Sequence, residues 1–191
     1  DISVSSATKA IDGHGRVMGG VLAGSEELMT QVAVYCNSCG LAMSPFNAWQ
    51  LLSGVETLSL RMEKQFDNAL KIAQWLQAQP QVQAVYYTGL SDHPQAELIR
   101  KQQNGGGIVI GFEVADTDAA WKIVDGVELF SRTANLGDVR STITHPWTTT
   151  HGRMQPEEKL AANIRPGLVR LSVGLEYVDD LIDDLKQALA R

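Results

Sequence analysis

Metal-binding side chains are scarce in this chain of 191 residues, which has four histidines and two cysteines. His14, His93, His145 and His151 are scattered, with no HxxxH spacing. Cys36-Asn37-Ser38-Cys39 has no second CxxC to complete a four-ligand zinc site, so no metal site is expected. A single CxxC reads as a redox pair, as half a metal site, or as two reduced thiols in a cytoplasmic loop, and the last is the expectation. Positive charge is also in deficit. Lys plus Arg number 16 against 22 Asp plus Glu, a net charge of −6, which argues against a nucleic-acid surface needing a basic field. No run of about 18 apolar residues is present, so no membrane span is expected. No basic-then-apolar leader is visible. The chain opens on Asp1 rather than Met, and a processed or truncated end is expected. Internal repeats, low-complexity segments and Gly/Ser- or Pro-rich linkers are absent.

What is present suits a folded protein. Hydrophobic residues make up 44% and charged residues 20%, ordinary values for a chain that buries a core. The length suits one large domain or one and a half. Asp1–Ser6 reads as a strand with Ile2 and Val4 on one face. Gly13, Gly15, Gly19 and Gly20 then punctuate the chain, with Arg16–Met18 a short strand continued by Val21–Ala23. Ser44-Pro45 predicts a helix start, Ser as cap and Pro at the first position. Apolar residues from Phe46 to Leu76 recur at steps of three and four, so one long helix or two are expected up to Pro80. Beyond it strands at 82–87, 108–114, 141–145 and 168–173 alternate with helices at 94–101, 116–130, 156 onward and 178–190. That alternation predicts an α/β layer domain, an antiparallel sheet with helices on one face. The first 44 residues read as the end of something larger.

Chemistry concentrates in Ser6-Ala7-Thr8-Lys9, directly after the first strand. Two hydroxyls and backbone N–H groups beside an amine can hold a phosphate. A lysine fixed beside a phosphate is what pyridoxal phosphate requires for a Schiff base. Arg170 lies in Leu168-Val169-Arg170-Leu171-Ser172-Val173, on the opposite face from Val169, Leu171 and Val173. A guanidinium in mid-strand is costly unless a carboxylate meets it, either a ligand's or that of a structural salt bridge.

The segment DISVSSATKAIDGHGRVMGGVLAG resembles the Schiff-base lysine region of the Cys/Met-metabolism family of pyridoxal-phosphate enzymes. The likeness continues through SPFNAWQLLSGVETLSLRME, ANLGDVRSTITHPWTTTHGRM and IRPGLVRLSVGLEYVDDLIDDL, collinear over essentially the whole chain. It implies the aspartate-aminotransferase-like (fold type I) architecture and pyridoxal 5'-phosphate as cofactor. Lys9 would be the Schiff-base lysine and the proton carrier, Ser6 and Thr8 would bind the cofactor phosphate, and Arg170 the substrate α-carboxylate. Asn135 stands where many members carry a Ser that helps hold this carboxylate, a departure favouring the sulfhydrylase branch. His145, Thr149, Thr150 and His151 resemble a family HPxxxTH segment and are expected to be structural.

The resemblance further implies γ-replacement on O-succinylhomoserine with sulfide, giving homocysteine in methionine biosynthesis. Cystathionine γ-synthase or γ-lyase chemistry is the alternative, and a non-catalytic C-terminal fragment or assembly module is the alternative of another class. Family members run about twice this length, so residues 1–65 are expected to finish the large cofactor-binding domain with its connecting helix, and 66–191 to form the small domain. The partners implied are an amino-acid substrate, the missing N-terminal half and further copies, a homotetramer built as a dimer of dimers, in the cytoplasm and without nucleic acid or membrane. An inner strand such as DISVSS would need a covering surface. Without one, Lys9 is expected in an open groove.

Overall fold

A computed structural model describes residues 1–191, which divide into two compact units, Asp1–Ser59 and Leu60–Arg191. No helix is long and apolar enough to cross a membrane.

In the first unit, β1 (Ile2–Ser6) pairs antiparallel with β2 (Gly20–Gly24), Ile2 opposite Gly24 and Ser6 opposite Gly20. A π-helical turn, Ala7–Ile11, follows β1. Residues 16–18 form no strand: Asp12 draws Arg16 into the turn, as described below, and the second strand starts only at Gly20. Helix α1 (Glu26–Cys39) was not anticipated. Leu28, Met29, Val32 and Cys36 fall at helical spacing along one of its faces, but the row is short and only half-buried. Its ends are nonetheless well specified. Ser25 accepts from the Leu28 amide at 3.4 Å, Glu26 and Glu27 complement the dipole, and Gly40 ends the helix at φ 70°. Cys36 and Cys39 therefore sit in a helix, not a loop.

Helix α2 (Pro45–Glu56) starts as expected, Ser44 accepting from the Asn47 amide and Pro45 in the first turn. The long stripe resolves into two helices, α2 and α3 (Leu58–Gln77), broken at Thr57. Its first half is not core. Phe46, Trp49, Leu52 and Val55 are exposed, as are both strands, with Val4 74% accessible. Only Ala7, Val17 and Leu51 form a small buried cluster here.

The second unit holds a five-stranded sheet, in spatial order β3 (Ala84–Tyr86), β4 (Val109–Glu113), β7 (Leu168–Ser172), β6 (Thr142–Thr144) and β5 (Ser131–Arg132). All pairings are antiparallel except β5 with β6. The two-residue β5 is too short to show a period, which is why the sequence did not reveal it. Ile110 and Phe112 of β4 pair with Leu171 and Val169 of β7, and Ile143 pairs with Leu171, giving one apolar face. That face is covered by Ala69, Ile72, Ala73 and Leu76 of α3, by Ile123 and Val124 of α5 (Thr117–Gly126), and by Leu181 and Leu185 of α7 (Val178–Leu189). The remaining helices are α4 (Ala96–Gln102) and α6 (Pro156–Ala161). Asp116 caps α5, accepting from the Ala119 amide at 2.9 Å. α5 ends at Gly126, short of the expected 130, because Asp184 captures the next backbone amides. Its carboxylate accepts from the amides of Glu128, Leu129 and Phe130 at 2.8, 2.9 and 3.1 Å. Asp184→Ala leaves these donors without partners and is expected to cost about 3 kcal/mol of stability, measurable by urea unfolding.

Candidate active site

The first unit gathers Ser6, Thr8 and Lys9 at the end of β1. The π-helical turn departs from helical geometry at the lysine itself (φ −92°, ψ −123°). Gly19 anchors the turn. Its carbonyl accepts from the Ala7 amide at 2.9 Å, its amide donates to Thr8 Oγ1 at 3.0 Å, and Thr8 Oγ1 donates back to its carbonyl at 3.3 Å. A side chain at position 19 would meet Leu51 Cδ1 at 2.7 Å, which is why glycine stands there. The Ser6 hydroxyl makes no capping bond at this helix start. Ser6 is exposed and Lys9 half-buried.

Two residues that stabilise the turn escaped the sequence reading, Asp12 and Arg16. Asp12 is fully buried and accepts from the Arg16 amide at 2.7 Å, Arg16 Nε at 2.9 Å and the His14 amide at 3.4 Å. Arg16 Nη2 completes the ion pair at 2.9 Å. Their i, i+4 spacing and opposite charges were the available signal. Burial works to raise the Asp12 pKa, but the Arg16 hydrogen bonds and charge, with the His14 amide, outweigh it and hold the carboxyl below its ordinary value of 3.8. A depressed carboxylate stabilises the fold above the unfolded value, and that contribution is lost as pH falls through the lower folded value. The 12–16 loop is therefore expected to loosen only in strong acid, and at higher pH in Arg16→Ala. An NMR titration of the Gly13 and Gly15 amides checks both. Helix α2 closes the turn from outside: a Cβ on Gly54 would lie 2.3 Å from the Ile11 carbonyl oxygen.

The second unit brings Arg170 and the 134–138 loop together. Arg170 projects from β7, opposite Gly111 on one side and Thr144 on the other. Its Nη2 donates to the Ala134 carbonyl at 2.7 Å, one residue before Asn135. Its Nε is buried and has no partner, and no carboxylate pairs with it. Burial pushes the guanidinium below its ordinary pKa, since nothing opposite compensates the desolvated charge.

Side chains missed in the sequence fix this loop. Thr142 Oγ1 donates to the Asn135 carbonyl at 2.9 Å, and the Gly137 amide donates to Ser172 Oγ at 3.0 Å. Asp138 accepts from the Arg140 amide at 3.0 Å. Glu176 accepts from the Ser141 amide at 2.6 Å and from Ser141 Oγ at 2.8 Å. Buried Gln65 of α3 donates to the carbonyls of Asp138 (3.0 Å) and Val173 (2.7 Å), and buried Asn68 to those of Gly174 (3.1 Å) and Glu176 (2.9 Å).

His145 is fully buried. Its Nε2 donates to the Pro166 carbonyl at 2.7 Å and its Nδ1 meets Thr148 Oγ1 at 2.8 Å. Thr149 Oγ1 donates to the His145 carbonyl at 2.7 Å. Both ring nitrogens are occupied by the protein itself, so the histidine braces the 145–149 loop, as expected. No group of three or more His, Cys, Asp or Glu is placed to hold a metal ion. Clefts of about 480 and 390 Å³ lie elsewhere in this unit, around Tyr86–Pro94 and Phe66–Gly106, and none of the expected residues lines them.

Known proteins share this whole chain. It is 49% identical over 191 residues to the O-succinylhomoserine sulfhydrylase of Pseudomonas aeruginosa, covering all of this chain and 47% of that protein. It is 43% identical to the L-methionine gamma-lyase of Porphyromonas gingivalis, covering 99% of this chain and 48% of that protein. The crystal structure of a cystathionine gamma synthase from Xanthomonas oryzae, in complex with aminoacrylate and cysteine, superposes with a TM-score of 0.94 at 39% identity, over all of this chain and 50% of that one. The chain thus spans about half the length of the relatives it matches. The family described as Cys/Met metabolism PLP-dependent enzyme matches residues 1–190, and with its fold type I architecture this chain belongs to that family.

Proposed function

We propose that this chain supplies the C-terminal half of a pyridoxal-phosphate enzyme that replaces the γ-substituent of O-succinylhomoserine with sulfide, releasing succinate and homocysteine. Residues 1–65 finish its large domain and 66–191 form its small domain. The observation that carries the reading is Arg170, a half-buried guanidinium with an unpartnered Nε, desolvated and without an internal carboxylate. Such a group is complementary to a ligand carboxylate, and its fork takes two oxygens at once. The salt-bridge alternative for Arg170 has no acid to supply it.

The residues of the first unit fit the cofactor. The Ser6 hydroxyl is uncapped, and the Thr8 proton sits in the longer of its two bonds to Gly19, at 3.3 Å, so both can donate to a phosphate. When bound, the cofactor supplies an electron sink that stabilises negative charge on the substrate carbons. Lys9 binds it and moves protons at the substrate α- and β-carbons. Arg170 fixes the substrate carboxylate, and the Asn135 amide donates to the same group. The rigid 134–138 loop keeps both in place.

The sulfhydrylase reading rests on Asn135 and on the likeness to the Pseudomonas protein; the likeness to a gamma synthase and a gamma-lyase supports the runner-up. The deciding experiment gives the full-length protein O-succinylhomoserine with sulfide or with cysteine. Homocysteine as the preferred product supports the proposal. Preferred cystathionine, or breakdown to ammonia and a 2-oxo acid, overturns it in favour of the synthase or lyase. A protein that binds no yellow cofactor overturns enzymatic function altogether. We also assign it to a cytoplasmic homotetramer, a dimer of dimers, which sedimentation of the full-length protein tests.

A further inference from the structure

Helix α1 ends in a feature that γ-replacement does not use. Cys36 and Cys39 are this chain's two cysteines, both are free, Cys39 is exposed and Cys36 half-exposed. At i and i+3 they share one face of the helix, with Cβ atoms about 5–6 Å apart. A disulfide needs Cβ atoms about 3.5–4.5 Å apart, so an intact last turn holds the thiols close but unbonded. That turn is weakly held. α1 buries no residue, and no basic side chain complements its C-terminal carbonyls. Its closing bonds are the Gly40 amide shared between the Cys36 carbonyl and the Asn37 carbonyl, the latter at 3.4 Å, and the Leu41 amide to the Cys36 carbonyl at 2.9 Å. Gly40, already left-handed at φ 70°, gives the backbone a joint at which to open.

We propose that Cys36 and Cys39 form a redox-active dithiol whose oxidation to an intramolecular disulfide unwinds the last turn of α1. The oxidant is a low-molecular-weight disulfide such as oxidised glutathione. The Cys39 thiolate, the more exposed, attacks one of its sulfurs and expels the first small thiol. The Cys36 thiolate then attacks the mixed disulfide at the Cys39 sulfur and expels the second. Two protein thiols lose two protons and two electrons, and one small disulfide becomes two thiols. The helix opposes the bond and so keeps the pair reduced until the oxidant dominates, which makes it a labile rather than a structural disulfide. The linker 40–44, which leads to the Ser44 cap of α2, gains freedom on oxidation. This inference is independent of the reaction the enzyme performs.

The test uses the full-length protein incubated with oxidised glutathione, alkylated and digested with trypsin. The peptide Val17–Arg61 holds both cysteines. It is expected to lose two hydrogens in mass, to take up no alkylating agent, and to recover both thiols with a reductant. Amide hydrogen exchange at 36–42 is expected to rise about tenfold or more on oxidation, and Cys36→Ser is expected to stop at a stable glutathione adduct on Cys39. A wild-type peptide that is doubly alkylated after oxidation, that keeps a persistent glutathione adduct, or whose thiols never react overturns the proposal. So does a disulfide formed with no change in exchange, since the helix would then be indifferent to it.

Discussion

Lys9→Ala in the full-length enzyme is expected to lower turnover by about a thousandfold or more, because it removes both the covalent anchor of the cofactor and the group that carries the substrate proton. Borohydride reduction followed by peptide mapping separates the two roles. In the wild type the reduced cofactor should stay on the peptide containing Lys9; in the variant no peptide should carry it. Cofactor bound by the phosphate contacts of Ser6 and Thr8 alone should leave on gel filtration. Lys9→Arg should not rescue turnover, since the guanidinium neither forms the linkage nor gives up its proton. Turnover within tenfold of wild type in Lys9→Ala would remove the lysine from the mechanism.

The second large effect belongs to Arg170. Arg170→Ala is expected to reduce kcat/KM by about a hundredfold or more while leaving cofactor content unchanged, since two charge-assisted hydrogen bonds in a partly dry site are lost. Arg170→Lys should recover little, because a single ammonium cannot reproduce the fork and reaches the Ala134 carbonyl only by leaving the substrate. The fold should survive either change: Arg170 makes no ion pair, and its Nη2 bond to Ala134 is replaceable by water. Unchanged kcat/KM would leave Arg170 as a strut for the 134–138 loop.

The sequence disclosed the elements whose signal is local. Ser44-Pro45 and Asp116 announced their helices through capping chemistry that the structure repeats, and the alternation through Ile110 and Phe112 announced β4 with its buried face. Arg170 was legible because charge in mid-strand is costly wherever the strand lies. What stayed hidden depends on contacts distant in sequence. α1 is an exception, since its caps and its short apolar row, Leu28, Met29, Val32 and Cys36, are local signals that were passed over. A support of the Asn135 loop comes from Gln65, 73 residues before the Asp138 carbonyl it binds, and nothing in its helix marks a glutamine as a tether rather than a solvated side chain. Asp12 was passed over among glycines, although its spacing to Arg16 was in plain view. The long stripe from Phe46 gave the two helices expected of it, but its period could not say that Phe46, Trp49, Leu52 and Val55 are exposed in this unit.

The Gln65 tether constrains how this protein can change over generations. Its amide nitrogen donates to two carbonyl oxygens in a buried place. Glutamate has the same shape, yet it would press an acceptor against two acceptors, which is worse than leaving them alone. Leucine, better suited to a buried helix face, would strand both carbonyls. The conservative and the hydrophobic replacements are thus both closed, and the same holds at Asn68 one turn on. The exposed positions of α3 are free to vary, while these two amides stitch the helix to the end of Arg170's strand with donors that no isostere supplies.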